Sequence, residues 1–273
     1  VTSTGVTGLT ATLSAGDFAS GAGSVTYNIS GTPSGNGTAS FALSIGGKSC
    51  TLNRTVNSPF TCGTSTVTWT YNGGSVTYGT VSSTTGECWM DRNLGASQVA
   101  TSRTDANSYG DLFQWGRADD GHQDRSSSTT STNADSPGHG NFITEGSSHD
   151  WRSTQDDNLW NGESATNNPC PSGWRIPTEA EWEAERNNGG PGYWGTGSAQ
   201  NNRAGAFASV LKLPSAGSRI NHNGSLYRVG TNGNYWSSTV SGTTARLLDF
   251  TSSNALMNPS GRARGNSVRC IKD

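Results

Sequence analysis

The stretch between residues 118 and 161 gathers most of the side chains in this sequence that could bind or react. Asp119, Asp120 and Asp124, and further on Asp156, Asp157 and Asn158, could supply hard oxygen ligands to a calcium ion, which takes about six to eight of them. The EF-hand pattern is absent, and Asp and Asn also build Asx-turns in solvated loops. A structural calcium and a set of solvated turns are therefore both open, and no other cofactor is implied. His122, His139 and His149 share the stretch, but their separations of 17 and 10 residues fit no helical or hairpin ligand pair for a transition metal. Four glutamates, Glu179, Glu181, Glu183 and Glu185, follow in "RIPTEAEWEAERNNGG". Acid–base catalysis would need two of them facing one substrate. Serine nucleophiles have no support, because G-x-S-x-G, S-x-x-K and a Gly-rich phosphate loop are all missing. Trp160, Tyr193, Trp194, Tyr235 and Trp236 stand beside Asn and Gly in "NLWNG", "PGYWGTG" and "NGNYWSS". Such rings can stack on sugar faces while neighbouring amides bond hydroxyls; the competing reading is that a chain poor in aliphatics needs them for its core.

The elements that position these residues are mostly strands. From residue 8 to residue 80, short segments alternate apolar and polar positions, as in "SVTYNIS", "ASFALSI" and "STVTWTY", and turn residues such as "IGGK" and "NGG" separate them. Period-2 alternation of this kind predicts a small immunoglobulin-like β-sandwich over residues 1–78, with Trp69 in its core. Beyond it the texture changes: loops lengthen, and Trp, Asp, Asn and His become frequent, so a second domain over 79–273 is expected. The one well-marked helix begins at Thr178, whose spacing to Glu181 makes a capping box, and ends at "NNGG". Its glutamates crowd the first turns, where the helix dipole stabilises negative charge, and they fan around the axis rather than converge.

Composition limits the function classes. Hydrophobic residues make up 30% and 37 residues are Gly, which favours an exported β-rich protein over a helical enzyme. The net charge of −2 and a charged fraction of 14% leave no basic surface for nucleic acid or anionic membranes. No apolar run approaches the roughly 20 residues that span a bilayer. The start, "VTSTGVTGLT", lacks the basic and apolar regions of a secretion signal; the expectation is an extracellular or cell-surface protein whose signal peptide has been removed, with a fragment of a longer chain as the alternative. The five cysteines show no zinc-type spacing, which points to disulfides in an oxidising compartment. Cys50 lies in phase with Leu52 and Val56 on a predicted strand, and Cys62 follows a short connection. A Cys50–Cys62 disulfide is expected, with two unpaired thiols as the alternative.

"GWRIPTEAEWEAE" resembles a signature of the formylglycine-generating-enzyme/sulfatase-modifying-factor fold, a relative of the C-type lectin fold. A fuller set of motifs is similar to the Fibrobacter succinogenes major paralogous domain, found repeatedly at the end of exported proteins of Bacteroidetes and Fibrobacteres. These motifs are "ECWMDRNLGA" (87–96), "YGDLFQWGR" (109–117), "NPCPSGWRIPTEAEWE" (168–183), "LKLPSAGSR" (211–219), "YWSSTVSG" (235–242) and "SVRCIKD" (267–273). The resemblance covers about residues 84–273 and implies a compact α+β domain of short twisted strands, few helices and long Trp-packed loops. It also implies that Cys170, just before the helix, bonds Cys270 in the final strand; Cys88 is then the odd cysteine, and the burial tendency of its residue type favours an inert buried thiol over a reactive one. It implies no activity. The paired late cysteines of the sulfatase-modifying enzymes have no counterpart in "SAGSRINHNGSLYRVGTNGNYWSST".

The expectation is thus a β-rich two-domain, non-enzymatic extracellular protein. As a structural subunit it would build a filament or surface layer by β-strand addition, with residues 1–13 as a joining strand and other copies or surface proteins as partners. As an adhesin it would bind glycans or proteins through its long loops. A divergent sulfatase-modifying-factor-like enzyme is a third, weaker expectation.

Overall fold

The computed structural model describes residues 1–16, 21, 23–145, 149–187, 194 and 201–273. The fold is β-rich, with several small sheets and short helices. The chain divides into two compact units, Val1–Thr61 and Cys62–Asp273.

The first unit holds strands β1 (Thr4–Gly5), β2 (Leu9–Leu13), β3 (Tyr27–Gly31), β4 (Gly37–Ile45) and β5 (Lys48–Val56). They form a β1-β4-β5 sheet and a β2-β3 pair, antiparallel throughout. Because successive side chains point to opposite faces, Ala39, Phe41 and Leu43 of β4 project together and meet Leu9 and Ala11 of β2 in one apolar core. Gly46 and Gly47 turn β4 into β5 with φ of 55° and 72°, a left-handed pair that suits a tight hairpin.

The second unit begins with the hairpin β6 (Val67–Tyr71) and β7 (Gly74–Tyr78). Read from the sequence, this hairpin belongs to a first domain ending at residue 78; in the structure it packs within the second unit. Period 2 reports only that one face is buried, not against which partner. Here Tyr71 and Tyr78 are buried with Met90, Phe113 and Trp115, and the Tyr71 hydroxyl donates to Asp111 Oδ2 at 2.6 Å.

Strands β8 (Thr80–Ser82), β9 (Cys88–Met90), β10 (Phe113–Gln114), β11 (Thr129–Thr130), β12 (Phe142–Ile143) and β13 (Trp174–Arg175) follow. Then come helices α1 (Glu179–Asn187) and α2 (Arg203–Ala208). The chain continues with β14 (Ser218–Arg219), β15 (Leu226–Tyr227), β16 (Gly233–Ser241), β17 (Thr244–Phe250), β18 (Ala255–Gly261), β19 (Gly265–Asn266) and β20 (Ile271–Lys272). The longest of these make a three-stranded antiparallel sheet, β16-β17-β18, while β13-β20-β9-β8 and β10-β19-β14-β15 are short four-stranded ones. Two clusters of buried aromatics fill the interior, one around Trp115, Trp151, Trp160 and Trp236, the other around Trp89, Trp182 and Tyr235.

The disulfides are Cys62–Cys88 and Cys170–Cys270. The second matches the pairing implied by the motif resemblance. The first corrects two expectations: Cys62 does not bond Cys50, and Cys88 is not a free thiol. Cys50 stands in the middle of β5 opposite Leu43, in a different compact unit from Cys62, and it is free and exposed. No helix among the described residues is long and apolar enough to cross a membrane.

Candidate functional site

The first unit contains an apolar groove of about 450 Å³. Its origin lies in the pairing of β4 with β5. Leu43 stands opposite Cys50, Phe41 opposite Leu52 and Ile45 opposite Lys48, so all of these side chains share the core-facing side of the sheet. Across from them, Ile29 and Tyr27 stand opposite Ala11 and Leu13 on the matching side of the β2-β3 pair. Leu9, Ala11, Ala39, Phe41 and Leu43 close on one another at one side of the sandwich. Toward β3 and β5 the two sheets part, and Ile29 is 37% and Val25 42% exposed. Tyr27, Ile29, Leu43, Ile45, Cys50 and Leu52 line the gap.

Both strands that flank the opening are edge strands. Among the described residues β3 pairs only with β2, and β5 only with β4, so each carries an unpaired row of backbone N–H and C=O groups. Lys48 and Arg54 also line the groove, and neither forms an ion pair among the described residues. The groove therefore offers two backbone ladders, an apolar floor with side-chain positions every second residue, and a cation near each end of β5. That is the chemistry that receives an extended strand.

Residues 1–13, read from the sequence as a joining strand, are already paired within the unit. The Val1 ammonium donates to the carbonyl of Ala11 at 2.8 Å, Thr4 and Gly5 pair with β4, and Leu9–Leu13 pairs with β3. The open edges are instead those of β3 and β5. The alternation of each strand is legible in the sequence, but which edge stays open depends on long-range pairing.

The aromatic residues read as sugar platforms do not present themselves to solvent. Trp160, Tyr235 and Trp236 are fully buried and Trp194 nearly so, while Tyr193 lies outside the described residues. The polar tips of three of them are satisfied inside: Trp236 Nε1 donates to the carbonyl of Phe113, Trp160 Nε1 to that of Asn167, and the Tyr235 hydroxyl to that of Pro214. With 30% hydrophobic residues the chain uses these large rings as core, and none of the four described ones presents a face to solvent.

The aspartates read as calcium ligands are separately engaged. Asp119 accepts from the backbone of Asn72, Asp120 pairs with Arg117 at 2.8 Å, and Asp124 accepts from the Ser126 hydroxyl at 2.6 Å. Asp156 accepts from the Asn158 amide in an Asx-turn, and Asp157 pairs with Arg262 at 2.6 Å. Among the described residues no group of three or more His, Cys, Asp or Glu is placed to hold a metal ion. His122 is buried, with Nε2 accepting from the Gln114 backbone N–H at 3.0 Å, so its Nδ1–H faces Asp120 at 2.7 Å. Burial holds it neutral, with a pKa lowered to about 4. His139 accepts from the backbone N–H of Asn141, well separated in role from His122.

The helical glutamates each have a structural partner. Glu181 accepts from the backbone N–H of Thr178 at 2.7 Å while the Thr178 hydroxyl accepts from the N–H of Glu181, which is the expected capping box. Arg175 adds a fork of two bonds to the same carboxylate. Glu179 pairs with Arg246 and Glu183 with Arg186. Glu185 is buried and accepts from Trp89 Nε1 at 3.1 Å and the Thr85 hydroxyl at 2.5 Å, which ties the helix to β9 and to the turn that precedes it.

No family model matches the chain, and no curated protein or solved structure gives a significant match.

Proposed function

We propose that the chain is a non-enzymatic extracellular structural protein, a subunit of a surface filament or layer that assembles by β-strand addition. Its first unit is an immunoglobulin-like sandwich short of strands, and the vacant place between β3 and β5 receives an extended segment with alternating apolar side chains from a neighbouring copy. The second unit is a domain of C-type-lectin and sulfatase-modifying-factor type, as its motifs suggest, and the two disulfides fit an exported, oxidised protein.

The observation that carries the reading is the apolar groove bounded by two free strand edges. An exposed edge is a template for pairing that proteins blunt with charges, proline, bulges or cover; β5 runs nine residues with no proline or bulge, and its two charges, Lys48 and Arg54, stand toward its ends and leave the apolar stretch between them open. Against an enzyme stands the structural employment of each helical carboxylate and of His122.

The test is electron microscopy and light scattering of the native protein beside the variant Cys50→Lys, which places a charge in the groove at an exposed position. Concentration-dependent fibres or layers are expected from the wild type. The variant should keep its thermal unfolding transition and remain monomeric. A wild type that stays monodisperse up to millimolar concentration, or a variant that assembles equally well, overturns the reading.

A further inference from the structure

A second cavity, of about 310 Å³, opens on the β16-β17-β18 sheet of the second unit, and its chemistry is the opposite of the groove's. Asp249 of β17 stands directly opposite Asn234 of β16. Asn234 Nδ2 donates to Asp249 Oδ1 at 3.1 Å, and Asn258 Nδ2 of β18 approaches Oδ2 at 3.4 Å. Each amide gives one N–H to the carboxylate, so it keeps its oxygen as an acceptor and a second N–H as a donor for a guest. Arg228 and Arg264 stand over the half-exposed ring of Tyr227, at 5.0 and 5.5 Å from its centroid. Arg264 is anchored by Ser218 Oγ at 2.8 Å, and neither arginine forms an ion pair among the described residues. Arg228 holds a positive φ of 53°, a strained conformation for a non-glycine residue of the kind that collects at ligand sites.

The formal charge of the cavity is two arginines against one aspartate. A compact anion such as phosphate would meet the arginines but also the repulsion of Asp249. A neutral polyol would satisfy Asp249 and the asparagines and leave both guanidiniums unpaired. A small zwitterion would set its carboxylate on the arginines and its ammonium on Asp249, but would carry no row of further donors to reach the amide oxygens of Asn234 and Asn258. What answers every group at once is a molecule with hydroxyls along one side and a carboxylate on the other.

We propose that this cavity binds an acidic saccharide of the uronic acid class, its carboxylate held by Arg228 and Arg264 and its hydroxyls donating to Asp249 and the amide oxygens of Asn234 and Asn258. The site is independent of strand addition, since it lies wholly in the second unit.

The experiment is saturation-transfer NMR and calorimetry on the full chain with glucuronate, glucose, acetate, inorganic phosphate and glycine as separate probes. Glucuronate should bind at least about tenfold more tightly than any of the other four, a difference of about 1.4 kcal/mol. Arg228→Gln, an exposed position whose loss leaves the fold intact, and Arg264→Gln should each weaken glucuronate about tenfold, and Asp249→Asn should weaken it while strengthening acetate. Equal binding of glucose, of phosphate or acetate, or of glycine would overturn the class in favour of a neutral sugar, a simple anion or a zwitterion. No binding by any probe, or binding that survives both arginine substitutions, overturns the site.

Discussion

Cys50 and Leu43 are opposite partners in the β4-β5 register and therefore point to the same side of the sheet, yet Leu43 is buried and Cys50 exposed. A sheet face that changes from covered to open between neighbouring strands marks where the opposing layer stops. The β2-β3 pair covers β4 but β5 only in part, at Leu52 and Val56, and a further strand beside β3 would complete the layer. Cys50 thus reports on occupancy of the groove. In the monomer it should react with a maleimide at the rate of an exposed thiol, and in an assembled sample it should be protected by about tenfold or more. Labelling followed by mass spectrometry makes the comparison, and an equal rate in both states would place the assembly contact elsewhere.

Much of the second unit was legible in advance because it is written in local signals. The capping box of Thr178 and Glu181 depends on a spacing of three residues, and α1 runs to Asn187, the first residue of "NNGG". The Cys170–Cys270 bridge came from motif resemblance rather than spacing. What failed were choices between partners far apart in sequence. Cys62 pairs with Cys88, 26 residues on, because the β6-β7 hairpin folds onto the second unit. The buried rings of Trp160, Tyr235 and Trp236 looked like sugar platforms because a ring flanked by Asn and Gly reads alike in a surface loop and at the end of a buried strand. Asp249, Asn234 and Asn258 converge only once three strands are in register, and nothing in their separate neighbourhoods announces it.

Replacing Thr178 by Ala removes the hydroxyl that accepts from the Glu181 N–H at 3.2 Å and bonds the Glu181 carboxylate at 2.9 Å. The loss of an N-cap costs about 1 kcal/mol, or roughly 2–4 °C in the melting temperature of a unit this size. Thr178→Ser keeps the oxygen and should lie within about 0.5 kcal/mol of the wild type. Paired thermal melts decide it, and equal losses for both substitutions would show that the methyl group, not the cap, is what matters.

The two disulfides should differ in weight. Cys170–Cys270 spans 100 residues and Cys62–Cys88 spans 26, and loop-closure entropy values such bridges at about 4–5 and about 3–4 kcal/mol. Denaturant unfolding of the Cys170→Ser/Cys270→Ser and Cys62→Ser/Cys88→Ser double variants should therefore show the larger loss in the former, by about 1 kcal/mol. The reverse order would mean that native packing around β9, not loop length, sets the difference.

Acid should reveal two opposed groups in the second unit. Burial lowers the His122 pKa from its ordinary 6.5 to about 4, so the unfolded chain takes up a proton that the folded one refuses. The contribution is fully present above pH 6.5 and is lost as pH falls toward 4, on the order of 3 kcal/mol across the window. Asp111 behaves in the opposite sense. Burial is the main cause that raises its pKa from 3.8 to about 6, against the lowering effect of the Tyr71 hydroxyl, so the folded state binds its proton first and gains stability as pH falls from 6 to 3.8. The two slopes oppose each other over nearly the same range. Wild-type stability should accordingly change little through it on their account. His122→Gln, whose carbonyl can still accept from the Gln114 N–H, should grow more stable toward pH 4 relative to the wild type. Asp111→Asn, which keeps an acceptor for Tyr71, should lose stability steeply over the same interval. Urea unfolding of the three proteins at half-unit steps measures this, and parallel profiles would mean that neither group is held away from its ordinary titration.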